Sequence, residues 1–224
     1  EFFDEAKAKE YRDAAIPELT AAGVTFPIKV QMPYNPSSTD WDKQCQVFKQ
    51  QLEGVLNDGF DFIDIIITAG PSDSFLSSVR RNGKFAFLQC NWGADYADPE
   101  TWTDPFSADS SYSFIFKSTD PETQALYAEY TELVAAAKAI TDDMDARYTA
   151  FAKAEAFLLD HAFAIPFSIS NRSYQMCNLN VFEGQYASFG VANQRYKDQH
   201  LYSTSMGLEE YQAAYAEWQS KVAG

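Results

Sequence analysis

A short stretch of the chain, NWGADYADPETW at positions 91–102, combines residue types that can bind a ligand. It places Asp95 between two large aromatic side chains, Trp92 and Tyr96, just after the apolar run KFAFLQC. A carboxylate in that setting can meet a cation through an ion pair, and the neighbouring rings can add a cation–π contact. The alternative is structural, because Asp95 could cap a short helix beginning near Asp98 or accept hydrogen bonds from loop amides. The residues alone leave both interpretations open.

Residues typical of enzyme active sites are scarce in the rest of the chain. Both histidines fit structural or solvated positions, and no metalloprotease, nucleophile-elbow, phosphate-loop or dinucleotide-binding motif occurs. The acidic pairs Asp95/Asp98 and Asp142/Asp143 would serve a glycosidase only if the two carboxylates flanked a bound sugar. Asp142 and Asp143 also fit the start of a helix. We predict no catalytic residue, no cofactor and no metal site, and a carboxylate-based hydrolase is the least favoured alternative.

Composition and charge narrow the possible partners. The chain has 224 residues, with 17 Lys and Arg against 32 Asp and Glu, which gives a formal net charge of −15. Such an acidic chain repels phosphate backbones and anionic lipids, which argues against nucleic-acid or membrane-surface binding. The three cysteines, Cys45, Cys90 and Cys177, are widely separated and odd in number. They indicate neither a zinc framework nor a fully paired set of disulfides.

Hydrophobic periodicity in the first 90 residues predicts helices that alternate with strands. Such an order favours an α/β layer with a largely parallel sheet. The predicted helices cover 3–22, bent or split at Pro17, 40–56, and a short segment ending near Arg81; the predicted strands cover 27–34, 60–68 and 84–90.

The second half of the chain is predicted to be mainly helical. Asp120 and Pro121 open a helix that runs to about residue 139, and a second long helix begins near Thr141. A fourth strand is predicted at 164–170, followed by an irregular polar and aromatic segment at 171–205. The last helix carries an apolar stripe formed by Leu208, Tyr211, Tyr215, Trp218 and Val222, which is typical of a core or an interface.

The run GKFAFLQCNWGADYADPETWTDPF resembles the signature region of the family-5 extracellular solute-binding proteins of ABC transporters, the oligopeptide- and dipeptide-binding proteins. The family pattern W-x-A-D-Y-x-[DE]-P is matched by Trp92, Ala94, Asp95, Tyr96, Asp98 and Pro99. The resemblance implies an α/β fold, namely the C-terminal lobe of a type-2 periplasmic-binding-protein-like fold, with a mostly parallel sheet flanked by helices. Residues 1–170 would form this lobe. Residues 171–224 would form a return segment and a helix that pack on a missing N-terminal lobe, and the abrupt start of the chain fits such a fragment.

The resemblance also implies a role for each position of the motif. Asp95 would pair with the α-ammonium group of a peptide, with Tyr96 beside it. The backbone at Asn91, Gly93 and Asp95 would bond the peptide as an added strand. Trp92 would line a pocket for a peptide side chain.

Recognition of the other end of a peptide is less well matched by the sequence. Arg80 is the candidate partner for the peptide's C-terminal carboxylate. Gln89 stands where some members of the family carry an arginine, which is a departure from their pattern.

The resemblance implies that the protein is the substrate-binding component of an ABC importer and not an enzyme. It would bind peptides with a free N-terminus between two lobes, for uptake across the membrane by permease subunits. The protein would be extracytoplasmic, as a cell-surface lipoprotein or in a periplasm. The alternative within the same fold is a binding protein for another solute, either an oligosaccharide or a metal complex.

Overall fold

The computed structural model describes residues 3–108, 110, 112, 117–169, 178–184 and 196–222. Within these residues the chain forms two strands, β1 (Ile28–Tyr34) and β2 (Ile63–Ala69), and six α-helices. The helices are α1 (Glu5–Ala21), α2 (Trp41–Leu56), α3 (Glu100–Thr103), α4 (Pro121–Lys138), α5 (Met144–Asp160) and α6 (Leu208–Val222). The chain divides into two compact units, the first comprising Glu1–Asn91 and Pro105–Ala128 and the second Trp92–Asp104 and Glu129–Gly224.

The first unit is built on a parallel pair of strands. β1 pairs with β2 in a register that runs from Ile28 opposite Ile63 to Tyr34 opposite Ala69. Met32 of β1, Ile65 of β2 and Cys45 of α2 lie together in the buried core between the strands and the helix. Burial of such apolar side chains supplies most of the free energy that holds the layer together.

Side chains of α2 cover the edge of β2 that faces away from β1. The Glu53 carboxylate accepts a hydrogen bond from the Ile65 amide at 2.7 Å, and the Lys49 ammonium donates to the Ile65 carbonyl at 2.5 Å. Asn57 bonds the backbone of Phe62 and Ile63 at the start of the strand. These contacts satisfy strand groups that would otherwise face solvent or another chain.

The predicted third strand, at 84–90, is wrong. The amides of Ala86 and Phe87 both donate to one carbonyl of β1, that of Gln31, at 2.9 and 3.0 Å. A ladder requires successive bonds to alternate residues, so these two bonds tether the segment to β1 without making it a strand. The Phe87 ring packs against Phe48 of α2, with 6.5 Å between ring centroids. The apolar pattern of the segment therefore reflects burial rather than pairing.

The predicted fourth strand is also not formed in residues 164–169, and residue 170 lies outside the described part of the chain. Its alternating apolar side chains include Ile165 and Ile169, which are 56% and 95% exposed. A β pattern forms a strand only where a neighbouring strand supplies hydrogen bonds. The described sheet is thus the parallel pair β1–β2.

The predicted division at residue 170, with residues 171–224 packing on another lobe, stays a prediction.

The helices follow the predicted pattern more closely. Pro17 lies inside α1, which continues as one helix to Ala21 instead of splitting. The short helix predicted before Arg81 is a five-residue π-helical turn, Leu76–Arg80. The N-terminus of α5 is capped by Asp143, whose carboxylate accepts from the Ala146 amide at 2.9 Å.

In the described residues no helix has both the length and the apolar character required to span a membrane.

The second unit contains α3, α5, α6 and the part of α4 that follows Ala128, whereas the earlier part of α4, with Tyr127, belongs to the first unit. Helices α4 and α5 each bury a stripe at three- and four-residue spacing, as amphipathic helices do. The stripes comprise Tyr127, Tyr130, Val134 and Ala137 on α4, and Arg147, Phe151, Ala154 and Leu158 on α5. On α6, Tyr211, Tyr215 and Trp218 gather around the ring of Phe182.

Candidate functional site

The loop that begins at Trp92 presents its residues alternately to solvent and to the protein. Asn91, Gly93 and Asp95 are exposed, whereas Trp92 and Ala94 are half-buried. Among the described residues, the Asp95 carboxylate makes no ion pair and caps no helix. A charged oxygen pair is thus displayed at the surface of the second unit, where it can meet a cation.

Thr101 of α3, which the sequence interpretation missed, fixes the backbone around Asp95. Its side-chain oxygen accepts a hydrogen bond from the Asp95 amide at 3.0 Å, and its carbonyl accepts from the Trp92 indole at 2.6 Å. Thr101 is itself buried. Its position six residues after Asp95, at the start of a short helix, offered no motif by which the sequence alone could assign this role.

Asp98, and not Asp95, accepts from a backbone amide at the start of α3, whose N-cap residue is Pro99. One of its carboxylate oxygens accepts from the Glu100 amide at 2.9 Å, at the beginning of α3. The same carboxylate receives two bonds from Arg147, from Nε at 3.0 Å and from Nη2 at 2.9 Å. The Arg147 guanidinium holds the pKa of the Asp98 carboxyl below its ordinary value. Asp98 is therefore part of the support of the loop.

Arg147, which the sequence analysis did not identify, makes the most hydrogen bonds among the residues that support the loop. Besides Asp98, it binds the Glu100 carboxylate at 3.1 Å. Its Nη1 donates to three carbonyls near the C-terminus of α4, those of Ala137, Lys138 and Ile140, at 3.1–3.2 Å. The cation thus lies at the negative end of the α4 dipole. A sequence signal existed, since an arginine within a buried helical stripe requires partners that satisfy its charge.

Two residues of α4 hold the far end of the loop. The Lys138 ammonium lies 3.1 Å from the Glu100 carboxylate and 3.2 Å from that of Asp104. The Tyr130 hydroxyl donates to the Thr103 carbonyl at 3.0 Å. Burial raises the pKa of Tyr130, which keeps its hydroxyl protonated and able to donate. The acidic residues after Asp95 are therefore engaged with cations of α4 and α5.

The pairing of Asp98 with Arg147 makes stability depend on pH in the acid range. The folded-state pKa of Asp98 lies below its ordinary 3.8, so its stabilising contribution is complete above pH about 4 and is lost as the pH falls through the lowered value. Asp98→Asn is expected to cost about 2 kcal/mol of unfolding free energy near neutral pH. The difference between wild type and variant should shrink as the pH falls below about 4 and through the lowered pKa of Asp98. Urea unfolding at several pH values measures this, and a difference that stays constant with pH would contradict it.

The remaining residues predicted for the site lie in different places. Tyr96 lies on the same loop as Trp92, with about half of its side chain exposed. The burial of the other half raises its pKa, and the negative charges of Glu100, Asp104 and Asp98 raise it further. Arg80 lies in the π-helical turn of the first unit, where burial lowers its pKa. Asn91 also belongs to the first unit, whereas Trp92, Gly93, Asp95 and Tyr96 belong to the second. The ligand roles of all six stay predictions.

Gln89 has a structural role in the first unit. It is buried, and its amide nitrogen donates to the side chain of Gln44 on α2. Its side-chain oxygen accepts a long contact of 3.7 Å from the Cys45 thiol. The side chain of Gln89 is thus engaged within the first unit. No cluster of three or more His, Cys, Asp or Glu side chains suited to a metal ion occurs in the described part of the chain.

Comparison with known proteins gives relatives of one kind. The chain is 29% identical to the oligopeptide-binding protein AmiA and 30% identical to the oligopeptide-binding protein AliA, both of Streptococcus pneumoniae, over 96% of its length. It is 26% identical over 99% of its length to the oligopeptide-binding protein SarA of Streptococcus gordonii. The chain spans 35% of the length of each of these relatives. No protein-family model matches the chain. The relatives confirm the resemblance seen in the sequence.

Among solved structures, the pheromone receptor PrgZ, described with its mode of peptide binding, shares the fold. The match has a TM-score of 0.52 at 22% identity and covers 70% of this chain and 27% of that one. It confirms the predicted fold class, an α/β unit of the solute-binding type with helices flanking a parallel sheet.

Proposed function

We propose that this chain is the C-terminal lobe of a peptide-binding protein that delivers its ligand to an ABC importer. The observation that carries the proposal is the difference between Asp95 and the acidic residues that follow it. Asp95 is exposed, whereas Asp98, Glu100 and Asp104 form ion pairs with Arg147 or Lys138. An α-ammonium group is a cation of matching charge and size. The relatives named as oligopeptide-binding proteins support a peptide as its source.

In this proposal the backbone before Asp95 binds the peptide as an added strand. Exposed Asn91 and Gly93 offer main-chain groups, and main-chain binding accepts many side chains. The Asp95 amide is already bonded to Thr101, so only its carbonyl and carboxylate remain for the peptide. Trp92, fixed by the same Thr101, would line a side-chain pocket, and Arg80 would meet the peptide carboxylate.

Binding would be completed by a second lobe and by closure around the peptide. A carboxylate enclosed by closure is costly unless it is paired, so the α-ammonium would be selected strongly. Closure is a hinge motion in which contacts of the ligand with both lobes stabilise the shut form. The protein would be extracytoplasmic, as a lipoprotein or in a periplasm, and would dock on the permease subunits of the importer.

A second candidate ligand within the same fold is an oligosaccharide or a metal complex. The observation that favours a sugar is the exposure of Tyr96 and Trp102 close to Asp95 in the sequence, because exposed rings can serve as stacking platforms.

Thermal unfolding of the natural protein that contains this chain separates these ligands. Samples would contain short peptides with free N-termini, the same peptides N-acetylated, or oligosaccharides. A ligand at about a hundred times its dissociation constant stabilises the folded state by about 2.7 kcal/mol. A shift with free peptides that disappears on acetylation supports the proposal. A shift with sugars alone, or equal shifts with both peptide sets, contradicts it.

A further inference from the structure

Arg147 connects three parts of the second unit through one side chain. Its guanidinium binds Asp98 and Glu100 of the loop, the carbonyls at the end of α4, and lies 4.8 Å from the centre of the Phe151 ring on its own helix. A planar group with five donors in a fixed fork can hold a carboxylate in one orientation, which a lysine cannot do. Arg147 therefore fixes the direction of Asp98 as well as its charge.

From Asp98 a continuous series of bonds leads back to Asp95. The Asp98 carboxylate accepts from the Glu100 amide and so sets the start of α3. Thr101, the next residue of that helix, accepts the amide of Asp95 and the indole of Trp92. Displacing Asp98 would shift α3 and, with it, the residue that orients the backbone of Asp95.

We propose that Arg147 is a positioning residue for ligand recognition, which holds the Asp95 carboxylate in the orientation that an α-ammonium group requires. The inference rests on the proposed function of Asp95. In this inference Arg147 acts through Asp98 rather than on the ligand, because its guanidinium is already engaged by Asp98, by Glu100 and by the carbonyls at the end of α4. Its effect should therefore appear in discrimination between ligands more than in the strength of binding as such.

The chain offers a matched control for the structural effect of removing a buried arginine. Arg12 of α1 is buried to a similar degree, donates to the carbonyls of Leu56 and Asp58 at the end of α2 and pairs with Asp13. It belongs to the first unit, and its described hydrogen bonds and ion pair are with Asp13, Leu56 and Asp58, none of which lies in the loop. Arg12→Met should destabilise the protein without altering the preference for free over acetylated peptides.

The test compares wild type, Arg147→Met, Arg147→Lys and Arg12→Met in the natural protein. The dissociation constants of one peptide are measured with its N-terminus free and acetylated, at a temperature where every variant is folded. The preference for the free peptide is the dissociation constant of the acetylated peptide divided by that of the free peptide. Arg147→Met is expected to reduce this ratio about tenfold, and Arg147→Lys, which keeps the positive charge, is expected to reduce it less. In an Asp95→Asn background, Arg147→Met should reduce the ratio no further, because both changes act through one carboxylate.

Hydrogen exchange of the loop amides provides a readout that needs no peptide. Arg147→Met should accelerate exchange at Asp95 and Glu100, whose amides are bonded to Thr101 and Asp98, and Arg12→Met should not. Unchanged exchange in Arg147→Met overturns the inference whatever the ligand. Faster exchange with an unchanged ratio, or an equal loss of ratio in Arg12→Met, also overturns it. If wild type shows no preference for free peptides, the proposed function fails, and faster loop exchange in Arg147→Met would then support only the part of the inference that concerns the loop.

Discussion

Asp95→Asn is expected to weaken binding of peptides with a free N-terminus by about two orders of magnitude. The substitution keeps the shape of the side chain and removes the charge that would pair with the α-ammonium. The remaining amide would leave the enclosed cation without a counter-charge, and this unpaired charge accounts for most of the loss. Binding of N-acetylated peptides should change little, because they carry no charge at that end. Isothermal calorimetry with both peptide forms measures the two effects in one protein.

Two observations would separate a binding role of Asp95 from a structural one. The carboxylate makes no hydrogen bond within the described residues, so Asp95→Asn should alter the unfolding free energy by less than about 0.5 kcal/mol. Asp142→Asn is the matched control, since it removes an exposed carboxylate from the same unit and should leave binding unchanged, with a change in unfolding free energy of no more than about 0.5 kcal/mol. Equal affinity of wild type and Asp95→Asn for free peptides would contradict the role of Asp95.

Local rules of helix and strand formation predicted most elements of the chain correctly. α2, α4 and α5 lie within a few residues of the expected bounds because capping residues such as Asp143 and apolar periodicity are encoded locally. The strand at 84–90 was predicted from the same kind of pattern and is absent. Pairing requires a neighbour in register, and an apolar run by itself does not contain that information.

The site shows a similar division between local and long-range information. The motif pattern drew attention to Asp95, Trp92 and Tyr96, which lie together on one loop. It assigned no function to Thr101 or Arg147, although these two determine how the loop is held. The bond between Arg147 and Asp98 joins residues 49 positions apart, and such a contact arises from the packing of α5 rather than from any local pattern.

Phe151→Ala is expected to lower the unfolding free energy by about 3–5 kcal/mol, the largest effect on stability that we expect from one substitution in α5. Phe151 is 2% exposed, and its ring lies beneath the guanidinium of Arg147. Truncation removes buried apolar surface and leaves a cavity beside Arg147, whose pairing with Asp98 depends on the position of α5. Because folded domains are stable by only about 5–15 kcal/mol in total, denaturant unfolding should detect the change as a large shift in midpoint.

A variant of the same helix provides the comparison for Phe151. Tyr148 lies three positions earlier in α5 and is 46% exposed. Tyr148→Ala should therefore lower the unfolding free energy by less than about 1 kcal/mol. Phe151→Leu keeps most of the buried volume and should cost about 1.5 kcal/mol or less. If Phe151→Ala proved no more costly than Tyr148→Ala, the stripe of α5 that contains Arg147 would not be a packed core. The orientation of Arg147 would then have no rigid support, and the loop that carries Asp95 would lose the basis for its fixed geometry.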